Sequence, residues 1–139
     1  MAAFNKFRSF VEAEAEKVHN LGADVLKVML TNTAPVNTNT VKADLTEISA
    51  GNGYTAGGTA ATITSSSQSA GTYKLVLADV VFTAAGGTIG PFRYVVLYND
   101  TATNDELIGW WDYGSPITLA DTETFTADFD ATTGVLTVA

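Results

Sequence analysis

Few residues in this chain are able to carry chemistry. His19 is its one histidine and there is no cysteine. Nucleophilic catalysis of the Ser-His-Asp kind would have to run through His19, and thiol catalysis, disulfides and a tetrathiolate zinc site are excluded. No G-x-S-x-G elbow accompanies His19, which falls at the expected end of a helix, where an imidazolium also meets the helix dipole. A capping or solvent role is the expectation. Carboxylates are plentiful: Asp100, Asp105 and Glu106 share one turn, and Asp128 and Asp130 fall on one face of a strand. Paired carboxylates run glycoside hydrolysis when an apolar setting raises the pKa of one of them. Beside Thr and Asn in polar turns they are expected to be solvated instead. The run NDTATND holds hard oxygen ligands of the kind calcium takes, but its spacing is not that of an EF-hand loop. The Gly-rich AAGGTIGP stretch lacks a Lys after its last Gly and opens no helix, so it does not read as a phosphate loop. No catalytic residue, metal ligand or cofactor site is expected, and the chain reads as a non-enzyme.

The adjacent Trp110 and Trp111 would face opposite sides of a strand, so at most one can be core while the other is outward or capped. With Tyr113 on the Trp111 side, the pair is a candidate exposed aromatic contact able to stack on a sugar; interface burial or packing on a helix is the simpler account.

The elements that must position these residues are mostly strands. Phe125, Ala127 and Phe129 alternate with Thr124, Thr126, Asp128 and Asp130, the period of a strand with one face on a core and one in water. Phe92 to Tyr98 is apolar on both parities, as a central strand buried on both sides would be. Further strands are expected at 24–32, 59–64, 72–77, 80–83, 107–113, 117–119, 123–130 and 134–138, with SSSQSAG as a separator and a short helical turn or irregular segment at 41–48. Phe4, Phe7, Val11, Ala15 and Val18 recur at helical spacing, which predicts an amphipathic helix from about residue 4 to residue 19, stopped by Asn20 to Gly22. The whole reads as a mainly β chain, a β-sandwich or jelly roll of about eight or nine short strands with one N-terminal amphipathic helix. One domain is expected over 1–139: segment and helix in 1–22, then a sandwich in 23–139 interrupted by a long loop at 31–55. Tyr94, Val96, Leu97, Phe125 and Phe129 are its expected core.

Composition narrows the function further. The chain is 46% hydrophobic but only 16% charged, with a formal net charge of −8, and no Lys or Arg follows Arg93. A phosphate track needs a basic stripe, so nucleic acid is not an expected partner. No apolar run is long enough for a signal peptide or approaches the roughly 20 residues of a membrane span, so a soluble protein with no membrane partner is expected.

Three blocks carry a resemblance: GNGYTAGG (Gly51 to Gly58), VVFTAAGGTIGPFRYVVLYNDT (Val80 to Thr101) and LIGWWDYGSPITLADTETFTADFD (Leu107 to Asp130). With the preceding DVLKVMLTNT strand and N-terminal helix, they resemble, in order and over essentially the whole chain, a family of small virion structural proteins of tailed bacteriophages. The resemblance implies a particle component made in the host cytoplasm, and no catalytic residues come with it. By size, acidity and lack of a coiled-coil stalk the chain looks most like a head decoration or cement protein, with the major capsid protein and other copies of itself as partners. The alternative is a tail, collar or fibre-associated protein that contacts host glycan through Trp110 and Trp111. In a cement protein the attachment surface is expected in the irregular parts, Met1 to Phe10 and Thr31 to Tyr54, because strands must first satisfy one another. Phe4, Phe7, Pro35, Val36 and Tyr54 are the candidate partner-binding residues. The competing account puts Phe4 and Phe7 under the domain's own helix.

Overall fold

The computed structural model describes residues 2–139; Met1, included in the expected docking segment, lies outside the described residues. The chain runs β1 (Asn5–Lys6), α1 (Ser9–Ala15), β2 (Leu26–Thr31), a 3-10 turn (Lys42–Asp44), β3 (Thr59–Ala61), β4 (Ile63–Ser69), β5 (Thr72–Leu77), β6 (Val80–Thr83), β7 (Ile89–Asn99), β8 (Leu107–Leu119), β9 (Thr124–Ala127) and β10 (Leu136–Val138). It is mainly β, a sandwich of ten strands with one short helix. One layer is a five-stranded antiparallel sheet in the order β1-β8-β7-β2-β3; the other is divided into β10-β5-β4 and β6-β9.

β7 is the centre. It pairs with β2 from Leu26↔Asn99 to Thr31↔Tyr94 and with β8 on its other side. Val95 and Leu97 join Leu26, Val28 and Leu30 of β2, Trp111 of β8, Leu75 and Leu77 of β5 and Phe82 of β6 in the main core between the layers. Val96 and Tyr98 point the other way and are equally buried, in a second cluster with Phe7, Met29 and Leu107. This is the two-sided burial that the doubly apolar run requires. Tyr94, Val96, Leu97 and Phe129 are buried as expected, whereas Phe125 is only partly so.

The N-terminus differs from its sequence reading. Residues 4–7 are not helical: β1 adds to β8 through Asn5↔Trp110 and Lys6↔Gly109. Phe4 and Phe7 thereby fall on opposite faces of the sheet. The Phe4 ring lies where a side chain at Gly109 would stand and meets Trp111 at 5.3 Å between ring centroids. Phe7 is fully buried, 4.6 Å from the Trp110 ring. The helix spans only seven residues and buries Phe10 and Ala13. Val11 is 54% exposed, so the stripe suggested by spacing is not the buried face. It stops before Asn20: Lys17 takes a φ of 64°, and the N–H groups of Lys17 and Val18 return to the carbonyls of Glu14 and Ala13, the double closure of a Schellman end.

Several strand boundaries also differ: the expected 59–64 strand is divided between β3 and β4, in different sheets, and the expected 123–130 strand ends at Ala127, before Asp128 and Asp130. The Ser-rich run is strand, not separator: β4 pairs with β5 from Ser65↔Val76 to Ser69↔Thr72, and the turn is Ala70-Gly71, both at positive φ, as a two-residue hairpin needs. The segments 107–113 and 117–119 form one 13-residue strand, with register shifts against β7 that accommodate Pro116.

Phe7→Ala is expected to lower stability by about 3 to 5 kcal/mol, since a whole aromatic ring leaves a closed cluster. Phe125→Ala should lose less, about 1 to 3 kcal/mol, because its ring is already partly in water. Urea titrations of both variants measure this, and equal losses would contradict the assignment.

Candidate functional site

The irregular segments converge at one end of the five-stranded sheet. The Arg8 N–H donates to the Asn37 carbonyl at 2.9 Å and the Phe7 N–H to that of Ile108 at 3.2 Å. The loop then meets the β7–β8 turn: the Leu107 N–H reaches the Thr40 carbonyl at 3.0 Å, the Lys42 N–H that of Asp105 at 3.0 Å, and Val41 bridges Glu106. Val36 stands on a closed turn, where its N–H donates to Asn39 Oδ1 at 2.8 Å and its carbonyl accepts from the Asn39 N–H at 2.9 Å. The N–H groups of Thr40 and Val41 also donate to Asp44, and these bonds hold its carboxyl below the ordinary range.

Of the five candidate partner-binding residues, only Val36 is exposed, at 53%. Phe7 is inside the fold, Phe4 lies on Gly109, and Pro35 is buried. Tyr54 is buried too, so Phe7, Pro35 and Tyr54 are corrected from anchors to parts of the domain's own packing, while Phe4 is half-buried. The Tyr54 hydroxyl accepts from the Leu30 N–H at 3.1 Å and donates to Glu47 Oε1 at 2.7 Å, and that same oxygen accepts from the Gly57 N–H at 2.6 Å. Burial drives the Tyr54 pKa far above its usual value. Thr31 Oγ1 donates to the Thr46 carbonyl, and the Tyr98 hydroxyl to that of Gly57 at 2.7 Å. Gly58, at φ +82°, lies so close to the Val28 carbonyl that a Cβ there would overlap it. The long loop is therefore fastened along its second half, while Val36 is its one exposed large apolar side chain among the described residues.

The aromatic pair splits as strand geometry demands. Trp111 is core, 2% exposed, so it cannot take part in an exposed aromatic contact; Trp110 is half-buried against Phe7. The carboxylates are tied to structure. Asp100 pairs with Lys27 at 3.2 Å, Glu106 accepts from Asn104, and Asp130 accepts from the N–H groups of Thr133 and Thr132, which keep its carboxyl below the usual range. Asp128 is exposed. Among the described residues no three His, Asp or Glu side chains gather as a metal-ligand set, and no helix is long and apolar enough to cross a membrane.

His19 is not a solvent-facing cap. It is 4% exposed and stacks on Phe10 with ring centroids 5.5 Å apart. Buried Asn99 sets its protonation. Asn99 Oδ1 accepts from the Thr101 and Ala102 N–H groups at 3.0 and 3.2 Å, which turns its amide nitrogen toward His19 Nδ1 at 3.0 Å and Asp24 Oδ2 at 2.7 Å. Nδ1 must accept, so the ring is neutral and carries its proton on Nε2. Burial lowers the His19 pKa, against the opposing charges of Glu106 and Asp24. Nε2 and Glu14 Oε2 both lack a hydrogen-bond partner within the protein. Glu14 and His19 line a shallow cleft of about 440 Å³ with Ser66 and Tyr73. Burial, then the nearby Asp24, raises the Glu14 pKa. The Ser66 hydroxyl bonds Tyr73 at 2.8 Å rather than His19, so the three do not line up as nucleophile and base. Sequence reading missed Asn99 and Asp24, and nothing local marks them, because the network joins residues distant in the chain.

Compared with known proteins, the chain matches no family model, no curated protein and no solved structure.

Tyr54→Phe is expected to cost about 1 to 3 kcal/mol by leaving the buried Leu30 N–H without an acceptor, measurable by chemical denaturation. The His19 prediction concerns pH. Its folded pKa lies below its ordinary 6.5, so the unfolded chain takes up the proton first. The stability is fully present above that value and is lost as pH falls from it toward the folded pKa. Glu14, shifted upward, acts in the opposite sense, so the comparison is with His19→Phe, which keeps Glu14 and stacks on Phe10. Between about pH 7.5 and about pH 5.5 the wild type should lose more thermal stability than this variant. Parallel curves would overturn the assignment.

Proposed function

We propose that this protein is a non-enzymatic structural component of a tailed-phage virion: a capsid decoration (cement) protein on the head surface, where it bridges and stabilises subunits of the major capsid protein. The resemblance of its three blocks motivates the reading. The observation that carries it is the convergence at one end of the sandwich, where the N-terminal segment, the turn at Val36 and the β7–β8 turn are held together by backbone bonds while Val36 stays in water. A pre-set contact surface loses little freedom on docking. Such a protein works by binding alone: separating two bridged capsid subunits also breaks the bridge, so attachment stabilises the shell by mass action. Many small contacts repeated over a lattice sum through multivalency. The acidic chain offers no phosphate track to the packaged genome.

The tail, collar or fibre reading with glycan contact is the weaker one, since Trp111 lies in the core and Trp110 is partly covered by Phe7. Counting copies on purified particles separates the two. Occupancy that follows the capsid lattice supports decoration, and a few copies at one vertex supports the tail.

The surface itself is tested by Val36→Glu. Because Val36 is exposed, the thermal midpoint should hardly change, whereas binding to decoration-free heads should weaken about 10-fold or more, as for loss of an interface anchor. Unchanged head binding by a folded variant would move the attachment site elsewhere.

A further inference from the structure

We propose that β4 is a docking edge for β4 of a second copy, paired antiparallel across a twofold axis so that two β10-β5-β4 sheets become one continuous sheet. β4 has one neighbour, β5, and among the described residues no backbone bond reaches its other side. Ser66, Ser67, Gln68 and Ser69 are exposed. The other sheet edges are shorter: two residues in β1, three in β3 and β10, four in β6 and β9. β4 has seven.

Soluble proteins guard an open edge with a charge, a Pro or a bulge that twists it away. β4 has no such guard where it is longest. Its register with β5 runs without interruption from Ser65 to Ser69, the one irregularity lying between Ile63 and Ser65. No Asp, Glu, Lys or Arg occurs anywhere from Ile48 to Tyr73 in a chain of net charge −8. The net negative charge opposes association of copies in general, and this stretch carries none of it. The nearest charged groups are Lys74, whose Nζ is held by the Thr132 carbonyl at 2.8 Å, and Glu14 and Lys17 across the cleft that Ser66 and Tyr73 line. With Asp130, whose carboxylate interacts with Lys74, they carry no net charge, so the edge lacks the acidity of the rest of the surface.

The same features select the occupant. A row of Ser, Thr and Gln offers no side-chain pockets by which to choose a foreign peptide, so recognition falls to backbone pairing and small hydroxyl contacts. An antiparallel strand pair is its own complement under a twofold axis, which makes a second copy the fitting partner. An edge of this length buries less than the roughly 1,200 Å² of a stable interface, so the dimer is a weak, concentration-dependent one. It does not depend on the virion role, and loss of head binding by Val36→Glu would leave it intact.

Sedimentation equilibrium of the full chain from roughly 10 µM to roughly 1 mM, the range in which a small interface associates, tests the proposal. The apparent mass should rise toward twice that of the monomer. Ser67→Lys, which places like charges opposite each other, should weaken association about 10-fold or more. Ser66→Pro should abolish it, because the pairs Ser69↔Thr72 and Ser67↔Lys74 turn their N–H groups to β5 and leave that of Ser66 on the open side. Far-ultraviolet circular dichroism checks that each variant is folded, and the Lys variant suffices if the Pro variant is not. A wild type that stays monomeric throughout, or a folded Ser67→Lys protein that dimerises as strongly as wild type, would overturn the proposal.

Discussion

The structure depends on one constraint, the burial of β7 on both faces. Val95 and Leu97 must be covered on one side of the sheet, Val96 and Tyr98 on the other. A second sheet layer serves the first side. The other side has no sheet to meet it, and the chain covers it with irregular structure: Phe7 from the N-terminal segment and Leu45 from the long loop. Irregular backbone is an expensive cover unless its polar groups find partners. The Tyr54, Glu47 and Gly57 bonds, with the Tyr98 hydroxyl on the Gly57 carbonyl, supply them. The long loop is thus as much a part of the core as the strands are.

That use of the loop limits what is left for a partner. Large apolar side chains expected to anchor another protein are instead needed at home: Phe7 and Tyr54 are inside, and Phe4 fills the room left by Gly109. The free surface offers isolated valines and backbone, Val36 on its turn and the β4 edge, rather than an aromatic hot spot. Interfaces built from such parts are individually weak and become effective by repetition.

Much of the strand framework was legible in the sequence. The doubly apolar run marked β7 as central, and β2, β5 and β6 could be read from turn signals and β-branched residues. What escaped did so for physical reasons. Phe4, Phe7 and Val11 have helical spacing, but residues 4–7 are drawn into the sheet by β8, and pairing across the chain leaves no local period. β4 is exposed along most of its length, so it lacks the alternation that betrays a half-buried strand. The candidate docking region was legible as a stretch of chain but not residue by residue, because burial of Pro35 and Tyr54 depends on how the loop folds back. The buried His19 and Asn99 pair had no signature at all, its partners lying 80 positions apart.

The pairing of distant segments bears on how the molecule comes into being. β1 waits for β8, β2 for β7, and β6 for β9, while β5 reaches its second neighbour only when β10 has been made. Only the β4–β5 and β7–β8 hairpins can form from adjacent sequence. Most loop closures must therefore precede the contacts that reward them, which places the chain among slow folders, on the order of milliseconds to seconds. During synthesis β7 emerges after most of the segments that cover it, but Phe7 is not fixed until β8 supplies the Ile108 carbonyl, so the most apolar strand is incompletely covered until then. The net negative charge that leaves finished copies little besides the β4 edge to pair by is then also what keeps unfinished ones from adhering to one another.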